Sequence, residues 1–301
     1  MSGTCPEVYG QPVRLAPDLR RVLANNPSPM THHGTVSYLL GSGDVALIDP
    51  GPDDPAHLAA LLAALTPGER ITHIFVTHAH RDHSGLAAAL SRATGAPVLA
   101  FGDATAGRSA LMNDLAAREP LLGTEGVHSS FRPDIALADG TRVKGGTWDI
   151  TALHTPGHFG NHLCFQSGDW VFCGDHVMGW SSSVIAPPDG DMGAYMTSLR
   201  RLAALGASRL FPGHGTPVDT PAARIAELIR HRNARAAAVA QGLQAAPATA
   251  AELTLQIYTD TPAHLLPVAA LNVFSHLIEM YIKKEAFPVG RIAFAAPFRL
   301  Y

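Results

Sequence analysis

Charge of either sign is scarce in this sequence. Charged residues make up 16% of its 301 residues, and the net charge at pH 7 is −3. This balance excludes a strongly basic nucleic-acid binder and a polybasic membrane anchor. The charge is unevenly divided, since residues 1–220 hold 14 Lys and Arg against 20 Asp and Glu, whereas residues 221–301 hold 8 against 5. The C-terminal part is therefore mildly basic.

Cysteine is also rare. The three cysteines, Cys5, Cys164 and Cys173, are odd in number and lack the spacing of a metal site, so they indicate neither a disulfide framework nor a cysteine-based metal centre. Cys164 and Cys173 lie in apolar runs typical of strands, and we expect both to be buried free thiols. Such cysteines suit a reducing cytoplasm.

Long apolar runs are also scarce. The N-terminus lacks the apolar run of a signal peptide, and no stretch looks long and apolar enough to span a membrane, so we expect a cytoplasmic protein without a membrane partner. A Gly-rich phosphate loop is also missing, and no Ser-His-Asp or Cys-His nucleophile is evident. With 47% hydrophobic residues, the chain is an ordinary globular protein that can bury a large core.

Short apolar runs bounded by Gly, Pro, Asp or Asn recur through residues 1–220 and predict β-strands. Between some of them, stretches such as residues 55–65 and 192–206 carry apolar residues at helical spacing. Mixed strands and helices predict an α/β layered domain over residues 1–220. Residues 221–301 instead predict helices followed by a small pair of strands, which indicates a compact accessory domain.

Histidine is abundant, with 16 residues. Three of them and one aspartate lie in the segment T-H-A-H-R-D-H (residues 77–83), which follows the apolar run ITHIFV and precedes a helical pattern. Because side chains alternate along an extended chain, His78 and His80 should point the same way. Asp82 and His83 then lie on the turn into the helix. Neutral imidazole and carboxylate together are typical ligands of zinc and related transition metals.

Three further candidates, His158, Asp175 and His214, each follow a predicted strand beside a glycine. Taken singly, each would more often be a capping aspartate or a structural histidine. Ligands at the ends of adjacent strands can nevertheless converge at one edge of a sheet, and seven ligands suit two metals that share a carboxylate. We therefore predict a site for two zinc ions, with iron or manganese as alternatives, bound by His78, His80, Asp82, His83, His158, Asp175 and His214.

Four motifs resemble, in order, those of the metallo-β-lactamase-fold superfamily: T-H-A-H-R-D-H, H-T-P-G-H (residues 154–158), G-D (174–175) and G-H-G (213–215). The resemblance implies a four-layer αββα sandwich with the metals at one edge. It also implies that one metal is bound by His78, His80 and His158, that the other is bound by Asp82, His83 and His214, and that Asp175 bridges them.

The C-terminal part resembles the β-lactamase-like protein 2 group of that superfamily. The matching stretches are HRNAR (residues 231–235), TDTP (259–262) and the helix that contains Asn272. This resemblance implies a winged-helix-like domain over residues 221–301 beside a catalytic domain over residues 1–220. Some members of the group are reported as endoribonucleases.

Two further residues are candidates to support the ligands. Asp49, in L-I-D-P-G, resembles the superfamily aspartate that orients metal ligands, although an isolated aspartate here would be a turn former. His154 could hold the loop before His158 through a hydrogen bond. Four arginines at helical spacing should form a solvated basic face: Arg224, Arg230, Arg232 and Arg235.

The predicted site has a direct mechanistic consequence. Two metals can hold a bridging hydroxide, because coordination lowers the pKa of water from about 15.7 to about 7. This nucleophile would attack a carbonyl carbon or a phosphorus, with Asp82 as the catalytic residue that orients it and carries its proton. We predict a zinc-dependent hydrolase that cleaves a small acyl substrate, namely a thioester, an ester or a lactone.

The alternative hypothesis is an endoribonuclease or other phosphodiesterase that acts on single-stranded RNA. The tail resemblance and the basic C-terminal part favour it, but no strong basic tract does. A true β-lactamase, a mononuclear-iron dioxygenase and a non-catalytic binding scaffold are weaker alternatives. The oligomeric state stays open.

Overall fold

The computed structural model describes residues 8–119, 123 and 126–301, so Cys5 lies outside the described residues. Its larger sheet has seven strands in chain order. They are β1 (Pro12–Ala16), β2 (Leu19–Leu23), β3 (Val36–Leu40), β4 (Asp44–Ile48), β5 (Arg70–Phe75), β6 (Val98–Ala100) and β7 (Ile135–Ala136). Strands β1 to β4 pair antiparallel, and β4 to β7 pair parallel.

The second sheet has five strands in the order β12-β11-β10-β9-β8. They are β8 (Arg142–Gly145), β9 (Trp148–His154), β10 (Leu163–Ser167), β11 (Trp170–Gly174) and β12 (Arg209–Pro212). Only the β11–β12 pair is parallel within this sheet. Cys164 on β10 and Cys173 on β11 are buried and free, as predicted.

The two sheets pack face to face through large side chains. The ring centroid of Phe75 lies 5.8 Å from that of Trp148 and 5.2 Å from that of Phe165. The ring centroid of Tyr38, in the first sheet, lies 5.2 Å from that of Phe172, in the second. Because alternate residues of a strand face the same side, each strand contributes its inward set to this core. Burial of such apolar surface is the main force that stabilises the sandwich.

Helices cover the outer face of each sheet. The helices of this part are α1 (Pro55–Ala63), α2 (Arg81–Ser84), α3 (Ala87–Thr94), α4 (Ala110–Arg118) and α5 (Met192–Ala204). Leu61 of α1 and Leu90 of α3 pack on the first sheet. Tyr195 and Leu199 of α5 pack on the second sheet. The layers therefore follow the order α, β, β, α, which confirms the predicted four-layer sandwich.

Residues 221–301 add helices and a two-stranded antiparallel sheet. The elements are α6 (Pro221–Gly242), α7 (Ala250–Ile257), a 3₁₀ turn (Ala263–Leu265), α8 (Leu266–Ile282), β13 (Ala286–Pro288) and β14 (Phe298–Leu300). Their apolar side chains pack together and against Met112 and Leu115 of α4. Through these contacts, the C-terminal helices share a core with a helix of the sandwich.

One helix among the described residues contradicts the expectation that no stretch is apolar and long enough to span a membrane. The 20 residues Ala263–Ile282 meet that criterion by length and composition. In the structure, 61% of the apolar window is buried inside the molecule, and Phe274 and Leu277 belong to the C-terminal core. A helix buried on most sides has the same composition as a membrane span, so hydropathy alone does not separate the two.

The C-terminal ends of five strands meet at one edge of the sandwich. Strand β4 runs parallel to β5, and β11 runs parallel to β12. Strand β9 shares the direction of β11, because each pairs antiparallel with β10. Asp49 follows β4, and His158, Asp175 and His214 follow β9, β11 and β12. Binding sites of α/β sheets commonly form beyond the carboxyl ends of their strands.

Candidate metal centre

The segment that follows β5 carries four of the predicted ligands. The chain bends at residues 77–79 and reaches His80, whose backbone is extended and which is the N-cap of the short helix α2. His78 and His80 face the same point, since Nε2 of His78 lies 2.8 Å from Nδ1 of His80. Asp82 lies in the first turn of α2 and His83 in its last turn.

His158 completes the first group of nitrogen atoms. Its Nε2 lies 3.1 Å from Nδ1 of His80. Potential ligand atoms of His78, His80 and His158 all lie within 4.8 Å of one another. Three imidazoles that meet at this distance would supply three of the four ligands of a tetrahedral metal site.

A second group lies beside the first. Nε2 of His214 lies 3.3 Å from Nε2 of His83 and 3.3 Å from Oδ2 of Asp82. Oδ2 of Asp82 lies 3.4 Å from Nε2 of His83. These three residues also offer ligand atoms within 4.8 Å of one another.

Asp175 lies between the two groups. Its Oδ2 is 3.8 Å from Nε2 of His158 and 3.3 Å from Nε2 of His214. Its Oδ1 is 3.4 Å from Nε2 of His83. The structure thus brings all seven predicted side chains together, with one carboxylate in contact with both groups.

The nitrogens that face away from the centre contact acceptors that orient the rings. Nδ1 of His83 donates to Oδ2 of Asp49 at 2.8 Å, and Nδ1 of His158 donates to the Val184 carbonyl at 2.6 Å. Nδ1 of His214 faces the Gly34 carbonyl at 3.2 Å. Metal-binding histidines are usually held in this way, because the remote hydrogen bond fixes the tautomer and turns the lone pair toward the metal.

The first group is held in its neutral form. Burial lowers the pKa of His80 to about 3 and also lowers the pKa of His78 and of His158. Protonation of one ring further disfavours protonation of its neighbours, since like charges repel. At neutral pH these imidazoles therefore present lone pairs, which is the state that binds a metal.

The second group has the opposite electrostatics. Burial disfavours a charge on His83 and His214, but the carboxylates of Asp82 and Asp175 outweigh it and raise the pKa of both rings, to about 9 for His214. Burial likewise disfavours ionisation of the carboxyls, yet the two histidines hold the pKa of Asp82 and of Asp175 well below the usual range. Buried carboxylates of this kind need a positive partner.

The donor set fits a pair of transition-metal ions. Oδ1 of Asp175 is buried and has no hydrogen-bond partner. The ring nitrogens of His78, His80 and His158 converge within 4.8 Å of one another. Imidazole and carboxylate ligands suit zinc, iron and manganese. A cation at each group would satisfy the orphaned oxygen and the converging lone pairs.

Gly213 is required by the close packing behind this centre. A Cβ atom at this position would lie 2.5 Å from Cε1 of His83 and 2.7 Å from Oδ1 of Asp175. The Gly213 N–H also donates to the Gly174 carbonyl at 2.9 Å, which ties β12 to β11 next to the ligands. The glycine of the G-H-G motif therefore has a steric reason.

The two supporting candidates also lie beside the centre. Asp49 accepts hydrogen bonds from the Thr77 N–H at 2.7 Å and the Thr77 hydroxyl at 2.8 Å, in addition to that from His83. His154 contacts the Gly160 carbonyl through Nε2 at 3.0 Å, which holds the loop that contains His158.

The seven predicted ligand side chains are here called the metal cluster. A cavity of about 240 Å³ opens on them. Its cluster side is formed by His80, Asp82, His158, Asp175 and His214. Its apolar walls are formed by Met30, Met178, Val184, Ala186, Val268 and Leu271. No lysine or arginine is among the described residues that line it. The sequence analysis did not predict that α8 lines this cavity, because the apolar pattern of a helix does not show which other segments its residues contact.

Arg232 corrects the expectation of a solvated arginine face on α6. Its side chain is 2% exposed and lies on the buried face with Ile225 and Leu228. Arg224, from the same helix, donates to the carbonyls of Met178 and Ser181, both at 2.7 Å. The signal was present in the sequence, since Arg232 is seven residues from Ile225 and four from Leu228, on one helical face.

Comparison with known proteins decides the family. A family model described as the metallo-beta-lactamase superfamily matches residues 30–214, a range that contains every residue of the metal cluster. The chain belongs to the metallo-β-lactamase superfamily. Its His and Asp cluster is a candidate metal site of that superfamily.

Relatives in other organisms place the chain more closely. The beta-lactamase-like protein 2 homolog of Drosophila melanogaster is 31% identical over 279 residues, which cover 89% of each chain. The Caenorhabditis elegans homolog is 30% identical over 265 residues, 86% of this chain and 82% of its relative. These matches confirm the resemblance to the β-lactamase-like protein 2 group. The lactamase-like protein adaB of Aspergillus niger is 33% identical, but the match covers 74% of this chain and 63% of adaB, less than two thirds of its length.

Solved structures of the superfamily share the fold. The metallo-beta-lactamase family protein TTHA1429 from Thermus thermophilus has a TM-score of 0.76 and 25% identity, with 96% of this chain and 100% of that one covered. A beta-lactamase domain protein from Burkholderia ambifaria has a TM-score of 0.81 at 21% identity, with 100% and 96% covered. TTHA1623, solved in a di-iron-bound form, is 32% identical with a TM-score of 0.50 over 67% of this chain and 95% of that one.

Proposed function

We propose that this superfamily member is a binuclear metal-dependent hydrolase, with zinc as its metal, that cleaves a small acyl substrate such as a thioester, an ester or a lactone. The observation that carries this proposal is the apolar wall of the cavity beside the metal cluster. Burial of an acyl chain against it contributes roughly 25 cal/mol per Å². The phosphates of RNA would meet no cationic side chain among the described lining residues, which disfavours the alternative nuclease activity.

In this proposal the seven cluster residues divide into two ligand sets. One metal would be held by His78, His80 and His158, and the other by Asp82, His83 and His214. Asp175 would serve both sets. When bound, the metals supply Lewis acidity toward the scissile carbonyl and lower the pKa of water to about 7. Iron, which the di-iron form of TTHA1623 contains, is the alternative metal.

Asp82 is the proposed catalytic residue. Its carboxylate lines the cavity, and its Oδ2 accepts a hydrogen bond from the Thr35 hydroxyl at 3.4 Å. Because His83 and His214 hold the pKa of this carboxyl low despite its burial, it is ionised at neutral pH. It can therefore accept the proton of the attacking water at a carboxylate oxygen and return it to the leaving group.

We also propose the division of the chain into a catalytic domain over residues 1–220 and a winged-helix-like domain over residues 221–301. Three helices followed by the β13–β14 pair support the second assignment. Val268 and Leu271 of α8 line the cavity, so the C-terminal domain would take part in substrate binding. A cytoplasmic location without a membrane partner stays part of the proposal.

The test combines metal analysis with an activity panel on the purified full-length protein. The panel contains an acyl-glutathione thioester, a p-nitrophenyl acyl ester, a lactone, nitrocefin and single-stranded RNA. We expect about two metals per chain after zinc loading and turnover of an acyl substrate. Asp175→Ala should lose metal and turnover, whereas Asp169→Ala, at an exposed position, should retain both.

Three results would contradict the proposal in different ways. Fewer than about two metals per zinc-loaded chain would show that the binuclear assignment is wrong. Metal-dependent cleavage of RNA, with every acyl substrate inert, would show that the metal site is right and the substrate class is wrong. Full metal content and activity in Asp175→Ala would exclude the bridging role.

A further inference from the structure

His158 is held by a backbone atom of a distant segment. Its Nδ1 lies 2.6 Å from the carbonyl oxygen of Val184. A carbonyl oxygen can only accept, so Nδ1 must carry the proton in the neutral ring, and the lone pair must lie on Nε2. Nε2 is the atom that faces His80 and Asp175. The Val184 carbonyl therefore determines that the unprotonated nitrogen of His158, Nε2, faces the metal site.

The residues on either side of Val184 are bound by the C-terminal helices. Arg232 of α6 donates from Nη2 to the Ser183 carbonyl. The Ile185 N–H donates to Oδ1 of Asn272, on α8, at 3.0 Å. The same Oδ1 atom accepts from Nη1 of Arg232 at 3.3 Å, so the two side chains act on residues 183–185 as a unit.

Ser183 connects the same segment to Asp175. Its hydroxyl donates to the Asp175 carbonyl and, at 3.1 Å, to the His176 carbonyl. Residues 183–185 thus contact the backbone of one predicted metal ligand and the side chain of another. A shift of this segment would move the carbonyl that orients His158 and would loosen the loop that carries Asp175.

Helix packing alone does not explain the buried charge of Arg232. The side chain is 2% exposed, and its Nε is buried without a hydrogen-bond partner. Its acceptors, the Ser183 carbonyl and Asn272, are neutral, and its guanidinium lies 5.4 Å from the Tyr195 ring centroid. An apolar side chain would fill this position at a lower desolvation cost, because a buried cation whose described acceptors are neutral is expensive.

We propose that Arg232 and Asn272 are positioning residues: through residues 183–185 they hold His158 in the orientation and tautomer that bind the metal. This inference rests on the proposed metal site. It assigns the C-terminal domain a role in metal affinity, separate from the substrate contacts of Val268 and Leu271. Residues that orient a ligand in this way typically change metal affinity by about 10- to 100-fold when they are removed.

The test measures stepwise zinc affinities of the full-length protein by competition with a chelating indicator. His158→Gln first identifies which binding step involves His158. We expect Arg232→Met and Asn272→Leu to weaken that step by about 10- to 100-fold and to weaken the other step, which involves Asp175, by less. Asn272→Asp should restore the affinity, since a carboxylate oxygen accepts from both the Ile185 N–H and Arg232. Arg230→Met and Asn233→Leu, at exposed positions of α6, are the matched controls.

A second measurement uses the metal-free wild-type protein, so it does not depend on whether a variant folds or a metal binds. In the metal-free wild-type protein, ¹H–¹⁵N spectra that correlate ring nitrogens with ring protons should show the His158 proton on Nδ1. A proton on Nε2 would overturn the proposal. So would unchanged zinc affinity in folded Arg232→Met and Asn272→Leu proteins. If the wild-type protein bound fewer than about two metals, the proposed function would fail, while the same spectra of wild type and Arg232→Met would still show whether Arg232 keeps the His158 proton on Nδ1.

Discussion

Asp49 and His83 form a buried hydrogen bond, with 2.8 Å between Oδ2 and Nδ1. Asp49 has a positive φ of 54°, which asparagine also adopts readily. In Asp49→Asn, an amide group can face Nδ1 of His83 and favour the tautomer whose Nε2 carries the proton. We expect zinc affinity at the group of Asp82, His83 and His214 to fall by about 10- to 100-fold in competition titrations.

The control for this variant is Asp169→Asn, which makes the same Asp-to-Asn substitution at an exposed position. It should bind zinc as the wild-type protein does. The affinity of the group of His78, His80 and His158 should fall by less, because Asp49 reaches it through the Thr77 hydroxyl, which lies 3.0 Å from Nδ1 of His78. Equal loss at both groups would mean that Asp49 stabilises the whole edge of the sheet and does not orient His83 in particular.

Gly213→Ala tests the packing behind the ligands. Its Cβ would lie 2.5 Å from Cε1 of His83 and 2.7 Å from Oδ1 of Asp175, so one of these side chains must move. We expect loss of about one metal per chain in elemental analysis, together with a large fall in turnover. Gly193→Ala is the control, because its Cβ would meet no atom closer than 3.5 Å. Full metal content in Gly213→Ala would show that the ligands tolerate this displacement.

The metal cluster could be predicted from sequence because its chemistry restricts the residue types. His78, His80 and His158 each follow a strand, and only a few side chains bind a transition metal, so their pattern is informative. The layered fold follows from periodicity for a similar reason: alternation and helical spacing decide which side of an element is buried.

The groups that support the cluster could not be predicted in the same way. His158 contacts the main-chain carbonyl of Val184. Every residue has such a carbonyl, so the residue type at position 184 does not predict this contact. Arg232 was expected to be solvated because an arginine on a helix usually is, yet tertiary contacts bury it. The stretch Ala263–Ile282 shows the same limit, since its apolar composition indicates burial but not the partner that covers it.

Leu271→Ala tests the contribution of α8 to substrate binding. Truncation of this wall residue should reduce the binding free energy gained from acyl-chain burial. The reduction should be about 1–2 kcal/mol for an acyl chain that reaches Leu271. We expect KM for a medium-chain p-nitrophenyl ester to rise by about 5- to 30-fold with little change for the acetate ester. Leu255→Ala, which changes a 65% exposed leucine of α7, should leave both values unchanged. Equal effects on both esters would point to a change in the metal cluster instead.

His57 gives a pH dependence of stability that is separate from the metal cluster. Burial lowers its pKa from 6.5 to about 4, although Asp54 acts in the opposite direction. Between these values the unfolded chain binds a proton that the folded protein does not, so stability is lost as pH falls from about 6.5 to about 4. The loss reaches at most about 3 kcal/mol. In urea unfolding of the metal-free protein, His57→Gln should lose less stability than wild type over this range, whereas His33→Gln, at an exposed position, should follow wild type. Identical slopes for wild type and His57→Gln would show that His57 has the same pKa in the folded and unfolded states.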